Sequence, residues 1–518
     1  MTVSRSRSWK VFAAAISAPV VLSLAACSSS ANNNATKTSP RPGNVVLAMA
    51  LPSQGFEGDK CITDLQTNPM VYDSLLRIQT PEGKGVVPGL AASYTYDDKA
   101  LAYEFTLRPD AKFNNGQQLT ADDVVFSIDQ WKAGQVSGIY YGNVKSATAV
   151  SPSVVKVQMN APDNFLPALL TWCTSTIYPK DFGDLTKEAY FQKPISAGAF
   201  AVDSVSDLTG PNEVLNFVPN KYYYGYAGKT APFTTFKVKT ISDPSQRVLQ
   251  FKAGDVDILD QVDSAAEAQV GSSVVSRSTP NRINGMLLNL KSGPTADPDL
   301  RAAISLALDR SAIVQAQNDG TVAATGALPI KVPGAVEPTT PYASSANLDQ
   351  AKAAIAKSKY ASGVTLTYLY VSSDKDSSTM AQVAKDQLSK IGVTLTLQAV
   401  DNTTLQSRSA ASDFQIIYFA ASAISPTIFD PIGFMQAAAY PWSGANPAVV
   451  NEAMAKGTST NVAAEQEAQA RKVQDDILSQ NFFVGVYNNP YAWAVQPWVT
   501  GFTPLQYGLF YADDVTSK

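Results

Sequence analysis

The chain has 518 residues, 45% hydrophobic and 16% charged, an ordinary globular composition at a length that asks for two or three cores rather than one. It contains no histidine, which excludes a Ser-His-Asp triad, a Cys-His pair, a His-ligated zinc or nickel site and a histidine pH switch. The net charge is −4 with no long basic run, so nucleic acid is not an expected partner.

The N-terminus carries Arg5, Arg7 and Lys10, then the apolar run "VFAAAISAPVVLSLAA", then "LAAC" ending at Cys27. This is the layout of a secretory signal peptide, too short and interrupted for a spanning helix. "LAAC" resembles the bacterial lipobox, which implies that residues 1–27 hold a lipoprotein signal peptide and that Cys27 is lipidated and becomes the new N-terminus. The alternative is ordinary cleavage nearby, with Cys27 incidental. Two acyl chains suffice for stable attachment, so the expected location is the outer face of the cell membrane, lipid-anchored. Cleavage before Cys27 removes Arg5, Arg7 and Lys10 and no acid from a net charge of −4, leaving −7. Residues 28–43, "SSSANNNATKTSPRPG", are polar and of low complexity and read as a flexible tether.

The body opens with a short strand, "NVVLAMA" from Asn44. In "NPMVYDSLLRI" (68–78), Met70, Val71, Leu75 and Ile78 fall at helical spacing. "LAYEFTLRPDAKF" (101–113) alternates as a strand and stops at Pro109; "LTADDVVFSIDQWK" then starts a helix that Thr120 caps, with Asp123 three residues on, close to a capping box. "VVKVQM" (154–159) reads as a strand, "FLPALLTWC" (165–173) as a short apolar helix and "FKVKTI" (236–241) as a strand. "SQRVLQFKAG" is a helix ending at Gly254, "DVDILD" a strand, "GMLLNL" (285–290) a strand and "PDLRAAISLALDRSAIV" (298–314) a helix. A second α/β region follows. Its helices are "LDQAKAAIAKS", "SSTMAQVAKDQLSKIG" (with Gly392 at its end) and "AAEQEAQARKVQDDILSQ"; its strands are "VTLTYLYV", "VTLTLQAV", "FQIIYFA" and "FFVGVYNN". The class is α/β in at least two lobes.

Cys61 and Cys173 are the cysteines left after the signal peptide. Outside the cytoplasm an even count suggests one disulfide, two buried thiols being the alternative. Asp122 and Asp123 suit a helix N-terminus better than a catalytic pair, because neighbours on a helix do not face one another. Asp255, Asp257 and Asp260 lack the remaining ligands of a calcium loop and read as solvated strand ends. Trp131, Trp172, Trp442, Trp493 and Trp498 read as core residues before ligand platforms.

"NPMVYDSLLRI", "VVPGLAASYTY" and "YEFTLRPDAKFNNGQQLTADDVVFSI" resemble the N-terminal signature of family 5 extracellular solute-binding proteins of ABC importers. "ISAGAFAVDS", "NKYYYGYAGKTAPFTTFKVKTISDPSQRVLQFKAGDVDIL", "LNLKSGPTADPDLRAAISLALDRSAIV" and "VGVYNNPYAWAVQPWVTGF" continue that resemblance across nearly the whole mature chain. It implies a two-lobed periplasmic-binding-protein-like clamshell with an extra subdomain in the first lobe. The first lobe would comprise residues 44–75, 196–280 and 490–518, the extra subdomain 76–195 and the second lobe 281–489. A small-molecule or peptide ligand would be held between lobes that close by hinge motion and then passed to an ABC permease and ATPase complex. A monomer without cofactor or metal is expected, and no chemistry on the ligand is implied.

In peptide-binding relatives the second lobe carries a pattern like W-x-A-D-Y-x-x-P, whose aspartate grips the peptide's ammonium. Set against it, Phe419 falls on the aromatic position and Ser422 on the aspartate. The usual anchor is therefore absent, with Asp430 or Glu57 as substitutes. Further candidate ligand contacts are Ser53, Phe56 and Glu57 in "SQGFE", Asn284 in "RING", and Asn488 and Asn489 in "YNN"; Cys61 and Cys173 would approach the cleft from the first lobe. Peptide is the commonest ligand class of the family, and a neutral oligosaccharide or other uncharged solute is the alternative that Ser422 favours. A carboxylate-based hydrolase would need two acids across one cleft, and no motif supplies them.

Overall fold

Strand runs that are apolar on every residue, rather than on alternate ones, belong in sheets covered on both faces, and the chain forms two of these. The computed structural model describes residues 42–518 apart from 64, 80–84, 136, 318, 373, 506 and 507; the expected signal peptide, Cys27 and the expected tether up to residue 41 lie outside the described residues. Among them, a seven-stranded sheet runs in the order Val275–Arg277, Ala492–Val495, Ile258–Leu259, Asn44–Met49, Thr235–Thr240, Val214–Pro219, Phe200–Ser206. Asn44–Met49 pairs in parallel with both its neighbours, and the other pairings are antiparallel. A six-stranded sheet has the order Val322–Ala323, Phe483–Asn489, Arg282–Leu288, Ile416–Ser422, Val364–Val371, Val393–Val400.

Between Asp413 and Asp430 the sequence has no charged residue, and this second sheet explains the part that contains Ile416–Ser422. Ile417, Phe419 and Ala421 enter one core with Ile283 and Leu287, while Ile416 and Tyr418 enter the opposite core with Met286 and Leu288. Burial on both faces leaves no position for a charge. At Gly285 the strand lies so close to its neighbour that a Cβ would collide with the Val484 carbonyl oxygen, and the register shifts between Asn284 and Gly285.

A four-stranded antiparallel sheet of Ala91–Asp97, Ala102–Leu107, Val154–Met159 and Val144–Ser151 packs on the helix Ala121–Ala133. That helix starts as its sequence indicates. The Thr120 N–H donates to Asp123 Oδ2 at 2.7 Å, and Asp123 Oδ1 also accepts the Lys180 N–H at 2.7 Å. Asp122 is exposed and meets Lys180 at 3.6 Å.

Several expectations change. The helical spacing of residues 68–78 yields only Asn68–Val71; the chain then extends, and Leu76–Ile78 pairs with Val86–Pro88. The helix of residues 298–314 is two, Pro298–Ala307 and Arg310–Gln317. "DVDILD" gives a strand of two residues, Ile258–Leu259. Asp257 and Asp260 are not solvated strand ends but buried acceptors. Asp257 takes the Val46 N–H at 2.8 Å and Trp498 Nε1 at 2.8 Å, and Asp260 takes the Ala50 N–H at 2.9 Å. A buried carboxylate is tolerable when N–H donors surround it. Gly254 closes the helix Pro244–Ala253 at φ 80°, the left-handed cap that glycine adopts freely.

The chain crosses between the two large sheets at residues 278–281 and again at residues 490–491, and the crossings are fastened together. The Ser278 N–H donates to the Tyr491 carbonyl at 2.9 Å, and the Tyr491 N–H to Ser278 Oγ at 3.0 Å. Cys61 and Cys173 form a disulfide across 112 residues.

Candidate functional site

The second lobe presents one end of its sheet to the crossings. Antiparallel register sets Arg282 opposite Ser422 on one side and Asn489 on the other. The strand Val364–Val371 runs to the same end, so the helix Lys375–Ser389 that follows it brings Asp376 there. These groups form one network. Asn284 Nδ2 donates to Asn489 Oδ1 at 2.7 Å, the Tyr418 hydroxyl donates to Asn284 Oδ1 at 2.7 Å, and Asn489 Nδ2 donates to Asp376 Oδ2 at 3.1 Å. Arg282 reaches the Tyr418 hydroxyl at 3.3 Å. Burial, then the Asp374 and Asp319 carboxylates, push the Asp376 carboxyl up to about 7, against the opposing pull of Arg282 and Lys375.

Beyond Ser422 the chain turns into a loop that reaches the first lobe. Ile424 packs on the patch made by Cys61, Leu65, Trp172 and Cys173. The loop is fixed by Asp430, which is buried and accepts the N–H groups of Ile424 and Ser425 at 2.6 Å each. Burial raises its carboxyl to about 6 even though those donors pull it down. Further contacts join the second lobe to the rest of the chain. Lys375 Nζ donates to Ser264 Oγ at 2.7 Å. The Asn164 N–H donates to the Thr458 carbonyl at 2.5 Å, and the adjacent Phe165 packs against the cores of both the four-stranded region and the second lobe.

The predicted contacts divide. Asn284 and Asn489 come together in the polar network. Asn488 is buried on the opposite face of the sheet, its Oδ1 accepting the Ile330 N–H at 3.3 Å and its Nδ2 without a partner. Ser422 is half-buried at the strand end. Three further candidates, Ser53, Phe56 and Phe419, are buried side chains like Asn284 and Asn488, and protein neighbours surround each. Ser53 is fully buried, its N–H and hydroxyl both donated to Glu213 at 2.7 Å. Phe56 is fully buried against Phe217. Phe419 is enclosed by Phe434, Trp442 and Phe483. Their apolar or small character suits core as well as cleft, and sequence alone does not separate the two. Glu57 is held by Lys187 at 2.6 Å and Lys60 at 3.0 Å. Burial acts to raise its carboxyl, but the two ammonium groups outweigh it and hold Glu57 below the usual range. It is thus neutralised already and, like Asp430, is a poor substitute anchor.

The first lobe adds a constellation that the sequence reading missed. A cavity runs from Ile424 and Trp172 at the lobe interface inward to Asp73, Arg77, Tyr223 and Asp513. Arg77 is bidentate on Asp513 at 3.0 Å twice, also donates to Tyr223, and stacks on Tyr511 with its guanidinium carbon 4.0 Å from the ring centre. The spacing of Asp73 and Arg77, four apart in "YDSLLR", was the available signal; the contribution of Asp513, from the far end of the chain, had none.

Two sheet-based lobes, joined by a pair of hydrogen-bonded crossings and touching through Ile424 and Phe165, make the frame of a two-lobed binding protein. The family described as bacterial extracellular solute-binding proteins, family 5 Middle, matches residues 85–446, and the chain belongs to that family. It is a binding protein and not an enzyme, and its family is extracytoplasmic. Among curated relatives, a probable D,D-dipeptide-binding periplasmic protein of Escherichia coli strain K12 is 28% identical over 380 residues, 70% of each chain. The periplasmic murein peptide-binding protein of the same strain is 22% identical over 479 residues, 85% of this chain and 86% of the relative. Among solved structures, an ABC transporter-associated periplasmic binding protein of Helicobacter pylori, in complex with the peptide STSA, aligns with a TM-score of 0.78 at 19% identity, covering 92% of this chain and 98% of that one. A periplasmic binding protein of A. tumefacien R10 in complex with agropinic acid aligns at 0.76 and 22%, covering 92% and 99%.

Proposed function

We propose that this chain is the lipid-anchored receptor of an ABC importer, capturing peptides between its two lobes and delivering them to a membrane permease. Residues 44–75, 196–280 and 490–518 would form the first lobe, 76–195 the extra subdomain and 281–489 the second lobe. The observation that carries the reading is the buried amide-rich end of the second-lobe sheet, where Asn284 and Asn489 meet on one face and Asn488 lies on the other. Amide side chains offer both donors and acceptors, as a peptide backbone requires. The loop carrying Ile424 supports a closing mechanism, because it already touches the first lobe; a ligand bound on both walls would favour that arrangement through its differential affinity. The peptide-binding names of the relatives support the same ligand class. Lipid attachment at Cys27 rests on the "LAAC" sequence, and among the described residues no helix is long and apolar enough to cross a membrane.

Uncharged Ser422 favours a second reading, a neutral oligosaccharide held in the same cleft. Mass spectrometry of ligand retained by the full chain, purified from a bacterial host, separates them. Recovered peptides support the first reading, oligosaccharide without peptide sinks it, and turnover of the retained ligand sinks both. Labelled palmitate should be incorporated by the wild type and not by Cys27→Ala.

A further inference from the structure

The cavity between Ile424 and the Arg77 cluster carries an excess of acid. Two carboxylates, Asp73 and Asp513, face one guanidinium, and Arg77 is the only cationic residue lining it among those described. Arg77 is committed to Asp513 by two bonds of 3.0 Å, whereas Asp73 lies 3.7 Å from the guanidinium and relies on neutral donors, the Tyr224 hydroxyl at 2.7 Å and the Ser74 N–H at 2.8 Å. Burial and the repulsion of Asp513 raise the Asp73 carboxyl despite these donors. A surplus charge in a site with little water is costly, and a second cation relieves it.

Two more groups point to a polar ligand atom. Asn68 is 1% exposed and gives its Nδ2 to the Gly55 carbonyl at 3.2 Å, which leaves its buried Oδ1 without a partner. Trp172 is 2% exposed, and its Nε1 is likewise without one. Both residues line this cavity. A buried polar atom left unsatisfied costs about 1–3 kcal/mol. Asn68 Oδ1 and the Asp73 carboxylate are acceptors, as an ammonium group requires, while Trp172 Nε1 would donate to a carbonyl of the same ligand. Leu65 and Leu509 supply apolar wall for a methylene stem.

We propose that this first-lobe cavity is the receptor's cation subsite, in which Asp73 and Asn68 hold a protonated amine of the bound peptide while Ile424 of the second lobe closes over it. The subsite rests on the peptide reading above. It accounts for the missing second-lobe acid at Ser422, because the ammonium is held on the opposite wall. It also couples the ligand to closure, since occupancy fills the space against which Ile424 packs.

Calorimetry on the full chain, stripped of retained ligand, tests this with Ala-Ala-Ala, N-acetyl-Ala-Ala-Ala and N-acetyl-Ala-Lys-Ala. At least one amine-bearing peptide should bind about tenfold or more tightly than the acetylated trialanine, as expected for a charge-assisted bond. If Ala-Ala-Ala alone gains, the amine is the terminal one; if N-acetyl-Ala-Lys-Ala gains, it is a side chain. Asp73→Asn should abolish the preference for the amine-bearing peptides, since the carboxylate that holds the ammonium is lost. Asn68→Leu leaves the Arg77 cluster intact and should weaken only the amine-bearing peptides; it decides the matter if Asp73→Asn does not fold. Equal binding of all three peptides overturns the subsite but not the peptide reading, and so does a preference that survives in both folded variants. If no peptide binds, the peptide reading falls. Titration with n-butylammonium then judges the cavity alone: binding lost in Asn68→Leu upholds a cation subsite, and no binding overturns it.

Discussion

Asp376 is the residue at which pH should act on this protein most directly. Its carboxyl is held near 7 in the folded chain, against 3.8 for an ordinary aspartate, by burial and by Asp374 and Asp319. Between about pH 4 and 7 the folded state therefore retains a proton that the unfolded chain has released. This favours folding at low pH, and the contribution is lost as pH rises towards 7. Asp376→Asn keeps an acceptor for Asn489 and removes the charge, so it should raise the melting temperature at pH 8 and have little effect at pH 4. The gain at pH 8 should be on the order of 1–2 kcal/mol, a fraction of the full linkage because the group is only partly buried. Thermal melts of both proteins across that range check this; a shift independent of pH would contradict it. Asp430 has a different role. Asp430→Asn retains an acceptor but loses the charge-assisted bonds to Ile424 and Ser425, so ligand affinity should fall about three- to thirtyfold with the loop less firmly held, measured by calorimetry with the retained ligand.

At the scale of elements, the disulfide and the close strand pairing are the most testable. Cys61–Cys173 closes a loop of 112 residues and carries the patch on which Ile424 rests. Loss of a native disulfide typically costs about 2–5 kcal/mol. The double variant Cys61→Ser, Cys173→Ser should melt lower and also bind ligand more weakly, because one wall of the cleft is loosened. A lower melting temperature with unchanged affinity would separate the disulfide from the site. Gly285→Ala places a Cβ against the Val484 carbonyl oxygen and should destabilise the second lobe by about 1–3 kcal/mol, read from denaturant melts followed by fluorescence. Most long elements were legible in the sequence. Val154–Met159, Val364–Val371, Val393–Val400 and Ala463–Gln480 fall where periodicity placed them. Residues 68–78 were misread because Met70, Val71, Leu75 and Ile78 are also buried by a short helix followed by a strand. Apolar spacing records burial, and more than one backbone path can satisfy it.

At the scale of the molecule, Phe165 and Ile424 are apolar bridges between the second lobe and the remainder of the chain. Neither is a polar group of the cleft, so each reports on closure. Phe165→Ala removes packing on both sides of the interface, and truncation of a partly buried aromatic should cost the closed state about 1–3 kcal/mol. Small-angle scattering of ligand-free protein should show a larger radius of gyration for the variant, with the difference abolished by saturating ligand. An identical radius with and without the substitution would mean that Phe165 does not govern the lobes. The crossings at residues 278–281 and 490–491 should remain paired in both states, because their bonds run between the crossings and not across the cleft.

The sequence by itself determined the α/β class, the resemblance to the family, the pairing partners available to Cys61 and Cys173, and the neutrality of the Ile416–Ser422 strand. Each follows from local pattern or from residue type. What only the tertiary structure decided is which neighbours surround each candidate residue. Ser53, Phe56 and Phe419 turned inward because Glu213, Phe217 and Phe483, distant in sequence, complete their surroundings. Asp73, Arg77 and Asp513 became a site because the two ends of the chain fold onto one lobe. Charge balance and burial at a site depend on such long-range neighbours, and no local pattern encodes them.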